Sequence, residues 1–159
     1  MLLKSFSFLS LFTAAAVTAA VPDLPEPVTG NAVAATTVRG KTYLVSMLGM
    51  SAGKQASDIH NKVWMHIAGE FGWNAVTPVP LQQRARGRVA ASATALNNNI
   101  FLFGGYSVNA DGSRSTAPDS YRFDPVTQRY TKLNDIPVAV DDMVALPYQN
   151  RYIYLVSGW

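Results

Sequence analysis

The sequence has no cysteine among its 159 residues. A disulfide framework and any thiolate metal site are excluded with it. Charge is also scarce. Asp, Glu, Lys and Arg make up 14% of the chain, against roughly 25% in ordinary soluble domains. The formal net charge is +3, one unit of it from Lys4. So weak a balance excludes the electrostatic footprint of a nucleic-acid binder. No Asn-x-Ser/Thr sequon occurs, no Asp-x-Asp spacing, and no glycine loop opening a helix that would cradle phosphate. No serine is expected in a strand-to-helix elbow. What is present is apolar: 48% of residues are hydrophobic, too many for a disordered chain.

Long apolar runs are confined to the N-terminus. Lys4 supplies a positive charge, and residues 6–17 are apolar apart from Ser7, Ser10 and Thr13. Val17-Thr18-Ala19 and Thr18-Ala19-Ala20 both fit small-x-small cleavage. The run is shorter than the about 20 residues that span a bilayer. Residues 1–20 therefore read as a signal peptide. Residues 21–30, with Pro22, Pro25 and Pro27, read as a proline-rich linker. The expected product is secreted or periplasmic, with no stable membrane anchor.

The rest of the chain repeats. Asn99-Ile100-Phe101-Leu102-Phe103-Gly104-Gly105-Tyr106 aligns with Arg151-Tyr152-Ile153-Tyr154-Leu155-Val156-Ser157-Gly158-Trp159, setting Ile100 on Ile153, 53 residues on. A weaker copy starts at Lys41-Thr42-Tyr43-Leu44-Val45, with Thr42 on Ile100, 58 residues apart. In the middle copy, small residues over 89–96 read as a strand, Asn97-Asn98-Asn99 as a turn, and 100–103 as a second strand. Residues 106–118 read as a polar loop. Residues 120–123 alternate polar and aromatic, as a half-buried strand does. Asp124-Pro125 opens a turn, and 130–133 is the fourth strand. The first copy gives strands at 32–38, 43–48, 62–65 and 73–76. The third gives 143–146 and 152–156. No helix of useful length is expected after the N-terminal segment.

Gly104-Gly105, Tyr121, Asp124-Pro125 and Tyr130, with Trp73 in Tyr130's place in the first copy, resemble the kelch repeat. Met47-Leu48 stands where the first copy's glycine pair is expected. The resemblance implies an all-β fold, a kelch-type β-propeller of four-stranded blades, of which about two and a half are present. The propeller part is residues 31–159, with blades at about 31–82, 87–139 and 141–159. The ring is incomplete. The remaining blades are expected from a longer product or from other copies. Small residues fit the inner strand of each blade, where blades converge, and aromatics fit between blades. Phe101, Phe103, Tyr121, Phe123, Tyr152 and Tyr154 are expected in that inter-blade core. With a signal peptide in front, the pattern looks like secreted galactose-oxidase-like proteins and periplasmic sialic-acid mutarotases.

Candidate chemistry is thin. The galactose oxidases need a Cys-crosslinked Tyr and two His ligands, and this stretch has no Cys. His60 and His66 lack the i, i+2 spacing of a strand-borne metal pair and read as a loop and a strand-end histidine. No metal and no cofactor is expected. Arg84, Arg86 and Arg88 alternate, which places all three on one side of an extended segment. Counting back twelve residues from Ile100 reaches Arg88, and from Ile153 reaches Asp141. The same count from Thr42 reaches Gly30, beside Asn31. The resemblance places such positions at the mouth of the central channel, which makes Arg86, Arg88, Asp141, Asp142 and Asn31 candidate ligand contacts. A guanidinium forks a carboxylate, while Asp and Asn suit sugar hydroxyls. An arginine there serves equally as a solvated linker or as a brace between repeats. The first functional reading is an exported, non-catalytic module that binds a carbohydrate or a protein. The second is a mutarotase or epimerase of an acidic sugar. Arg88 would then anchor the carboxylate, and Asp141 or Asp142 would act as acid or base.

Overall fold

The computed structural model describes residues 20–81, 85–109 and 111–159. The signal-peptide expectation falls almost wholly on residues 1–19, outside the described residues, and so does Arg84. Among the described residues no helix is long and apolar enough to cross a membrane.

The chain is all-β and curls as a half-barrel, consistent with part of a propeller. The first sheet contains β1 (Val28–Thr29), β2 (Ala32–Val38), β3 (Lys41–Ser51), β4 (Ile59–Ile67) and β5 (Asn74–Ala75). The order β2-β3-β4-β5 is antiparallel throughout, and β1 pairs with the far end of β3. The second sheet contains β6 (Ser92–Leu96), β7 (Asn99–Phe103), β10 (Ser120–Asp124) and β11 (Arg129–Lys132). Between β7 and β10 stands a separate hairpin, β8 (Tyr106–Val108) with β9 (Arg114–Thr116). A final pair, β12 (Val144–Tyr148) and β13 (Tyr152–Val156), forms the third sheet. β6 lies against β2 on one side and β12 on the other, so the first strands of the three repeats sit together.

Alternation decides what is buried. Tyr43, Val45, Met47, Val63 and Met65 point from the first sheet onto Ile100, Leu102, Tyr121 and Phe123 of the second. Phe103, with Phe101 beside it, packs onto Ala145, Ile153 and Leu155 of the third. Four of the six expected core aromatics are therefore inside. Tyr152 and Tyr154 are about half exposed, because they sit on the face of the third sheet turned away from the second.

Three bridges recur at one place in each repeat: Thr29 with Met50, Val89 with Tyr106, and Asp141 with Trp159. Gly49 N–H donates to Arg88 C=O, and Gly105 N–H to Val140 C=O. Ala90 N–H donates to Gly30 C=O, and Asp142 N–H to Ala90 C=O. These bonds revise the alignment. Arg88 corresponds to Val140 and Val28, and Asp141 corresponds to Val89. The twelve-residue count fails because hairpin lengths differ. Ser92 pairs with Phe103, but Val144 pairs with Val156 across a turn one residue longer. The first glycine-pair site is likewise Leu48-Gly49, not Met47-Leu48. Leu48 and Gly49 have φ of 63° and 114°, where Gly104 and Gly105 have 58° and 87°.

Other expectations shift at their edges. The small-residue strand begins at Ser92 rather than at residue 89, since Val89 makes only an isolated bridge. The expected loop 106–118 contains the β8–β9 hairpin. His60 lies in β4 rather than in a loop. Residues 21–30 are laid against the first sheet. Trp73 Nε1 donates to Pro22 O (2.8 Å), and the Glu26 carboxylate accepts from Lys62 Nζ (2.7 Å) and Trp64 Nε1 (3.2 Å). The Lys62 hydrogen bond holds the Glu26 carboxyl below its ordinary pKa.

Candidate functional site

The chain leaves β7 through Gly104-Gly105, a pair the local backbone requires. A Cβ on Gly104 would lie 2.2 Å from Val140 O, and one on Gly105 would lie 2.8 Å from Val89 O. The turn throws the β8–β9 hairpin outward. Under that hairpin lies a cavity of about 360 Å³, walled in part by Arg88, Ser107, Asn109, Ser115, Thr116 and Asp119. A second recess of about 650 Å³ adjoins it. That recess shares Ala85, Ser107 and Asn109 and adds Ser57, Arg86 and Asp111.

Arg88 lines the first cavity and is 2% exposed. Its Nη1 donates to Gly104 O at 3.0 Å and lies 3.6 Å from Asp119 Oδ2. Nε and Nη2 have no partner among the described residues. Burial pushes the guanidinium below its ordinary pKa, and the Asp119 carboxylate pulls it back up. The cation persists, since arginine does not lose its proton in proteins. Ser107 Oγ donates to Gly87 O at 2.5 Å, tying the hairpin to the segment that carries Arg88. The walls thus offer hydroxyls, an amide and a buried ion pair, a set suited to a hydroxylated ligand with an acidic group.

The candidate residues separate. Arg88 is inside the first cavity and Arg86 is exposed in the adjoining recess. Arg86 and Arg88 thus do not share one environment, and Arg84, the third arginine of the expected face, lies outside the described residues. Asp141 is buried behind the wall, where Thr116 Oγ1 donates to its Oδ2 at 3.1 Å. Asp142 is exposed at φ 52°, held by its backbone N–H. Asn31 donates from Nδ2 to Ser46 Oγ (2.9 Å) in the first sheet. Neither Asp142 nor Asn31 lines either recess.

Asp119, Ser107 and Thr116 are the site residues the sequence did not single out. Asp119 precedes the alternating strand β10, and no pattern marks a lone Asp there as an arginine's partner. A second omission is Gly49-Met50-Ser51-Ala52-Gly53, which has the spacing of a nucleophile elbow. Ser51 ends β3, and only the 3-10 turn Ala56–Asp58 follows. Both ring nitrogens of His60 lack partners, and His66 Nδ1 is 2.7 Å from Gly72 O. No histidine is therefore bonded to that serine. Burial, with Lys62 nearby, pulls the His60 imidazole below its ordinary pKa. Among the described residues no cluster of His, Asp and Glu could hold a metal ion.

No family model matches the chain, and no curated protein matches it. Solved structures do: 133 chains resemble it. One, titled "Structure of YjhT", aligns with a TM-score of 0.57 at 18% identity, over 82% of this chain and 34% of that one. At that identity the likeness is one of fold. The present chain spans about a third of that structure's length.

Proposed function

We propose that this chain is part of an exported kelch-type propeller that binds a small acidic carbohydrate without turning it over. The observation that carries the reading is the cavity under the β8–β9 hairpin. Six of its ten lining residues are polar, beside Leu81, Ala85, Ala117 and Pro118, and one of the six is a buried arginine with two donors unpartnered among the described residues. A carboxylate fits a guanidinium's fork, and the serine, threonine and asparagine walls fit ring hydroxyls.

The test is calorimetric titration with an acidic sugar, N-acetylneuraminic acid, and a neutral hexosamine as control. Saturable binding of the acidic sugar is expected, weakened on the order of 10-fold by Asn109→Ala and by Ser115→Ala. Both side chains are exposed, so the fold should survive. Equal binding of both sugars, or of neither, would sink the reading.

One observation favours the mutarotase alternative. Asp119 lines the cavity, and Asp141 is a single hydrogen bond behind it through Thr116. Anomer exchange followed by proton NMR separates the two readings. A faster exchange that Asp141→Asn abolishes would favour the enzyme.

A further inference from the structure

The cavity under the β8–β9 hairpin shares a wall with the second recess, since Ala85, Ser107 and Asn109 line both. The first space, about 360 Å³, stands at the low end of small-ligand pockets, which run from about 300 to 1,000 Å³. The second is the larger, at about 650 Å³. It lies between the first repeat and the second. Ala56 and Ser57 come from the 3-10 turn after β3, and Val108, Asn109 and Asp111 come from the end of β8 and the turn beyond it. Both walls are built. Gln55 N–H donates to Asp58 Oδ2 (2.9 Å) across the 3-10 turn. Asn109 N–H donates to Ser113 C=O (2.8 Å), Gly112 N–H to Asn109 C=O (3.0 Å), and Asn109 Nδ2 to Ser113 Oγ (3.0 Å) across the hairpin turn. Walls fixed in this way spare a ligand the cost of ordering them.

We infer that the ligand is the acidic end of a longer glycan, held as a glycoside, with its next sugars in the second recess; this rests on the carbohydrate reading above. Each space holds one arginine and one carboxylate, Arg88 with Asp119 in the first and Arg86 with Asp111 in the second. Water separates the two pairs. Arg88 is buried, and its Nε and Nη2 are unpartnered among the described residues, so a ligand carboxylate there meets donors that nothing else satisfies. Arg86 and Asp111 are exposed, and an ion pair with an already hydrated arginine adds little. The acid therefore goes to Arg88. The second recess suits neutral sugar instead. Arg86 and Ser57 offer donors to ring hydroxyls, and Asp111 offers an acceptor. Ser113 donates to Asp111 Oδ1 from Oγ (2.6 Å) and N–H (2.9 Å), and these bonds hold its carboxyl below the ordinary pKa. Ala56, Ala85 and Val108 give small apolar ground for the C–H face of a ring. A free acidic sugar would use the first space alone and leave the larger one to water. A glycoside fills both. Its anomeric oxygen is bonded to the next sugar, so its ring cannot open, and such a ligand would be held without being mutarotated.

Calorimetric titration with free N-acetylneuraminic acid, with sialyllactose (the same acid held as a glycoside on lactose) and with lactose tests this. The full chain should bind the trisaccharide at least about 10-fold more tightly than the free acid, and lactose more weakly than either. Ser57→Ala and Arg86→Ala, both at exposed side chains, should bring the preference for the trisaccharide down toward parity. If neither acidic probe binds, or lactose binds as tightly as the trisaccharide, the inference falls together with the reading beneath it. If the free acid binds as tightly as the trisaccharide or more so, the inference is overturned and the reading stands. A preference that neither variant reduces would overturn it too, since the added sugars would then lie outside the second recess.

Discussion

Asp119→Ala should destabilise the fold by about 3–5 kcal/mol, the largest effect expected of any single charge in the chain. Arg88 and Asp119 are 2% and 3% exposed. At 3.6 Å the carboxylate is the nearest counter-charge to a guanidinium that has lost its water. Without it the cation keeps one neutral partner, Gly104 O, and a burial penalty nothing offsets. Domain stabilities run to about 5–15 kcal/mol, so the loss should lower the melting temperature on the order of 10 °C. A second variant isolates the cause. Arg88→Met with Asp119→Leu removes both charges at similar volume and should recover most of the loss, leaving only Gly104 O without its donor. Denaturant unfolding of the two variants checks this. A single-variant cost under about 1 kcal/mol would mean that water in the cavity solvates the arginine. Arg88 would then be no brace between β7 and the approach to β10.

That pair also shows what the sequence could and could not tell. Repeats were legible because Ile100 and Ile153 sit in matching apolar strands ending in Gly-Gly and Ser-Gly, and a strand's period is short enough to read locally. β2 and β13 fall at the expected residues for that reason. The face of Phe101 and Phe103 was legible too, as alternating aromatics. Correspondence between repeats at the residues leading into β6 and β12 was not. It depends on hairpin length, and one extra residue in the β12–β13 turn moves Asp141 from Arg88's place to Val89's. Ion pairing across the fold was also invisible. Arg88 and Asp119 are separated by two strands and the β8–β9 hairpin, and only the three-dimensional turn at Gly104 brings them together. The β8–β9 hairpin itself was hidden by its composition, since Gly, Ser and Asn read as loop whether or not three residues on each side pair.

Gly87→Ala should cost about 3 kcal/mol or more, toward the upper end of overpacking effects, and should weaken ligand binding with it. A Cβ at residue 87 would lie 2.1 Å from the carbonyl carbon of His60 and 2.4 Å from its Cα. These are backbone atoms of β4, paired at this point with Gly49 of β3, so no side-chain rotation relieves the clash. The segment carrying Arg88 must move instead. That segment is held by Ser107 Oγ on Gly87 O and by Gly49 N–H on Arg88 O, and both bonds would lengthen. The first of them forms part of the cavity wall. Gly112→Ala is the control. It has positive φ (82°) but nothing within 4 Å, so it should cost only about 1 kcal/mol. Thermal melts of the two variants, with the sugar titration repeated on each, separate crowding from backbone conformation. If both lose the same stability, His60 and Gly87 are not in contact in solution. If Gly87→Ala is unstable yet binds the acidic sugar normally, the cavity is not the binding site, because its wall cannot shift without changing affinity.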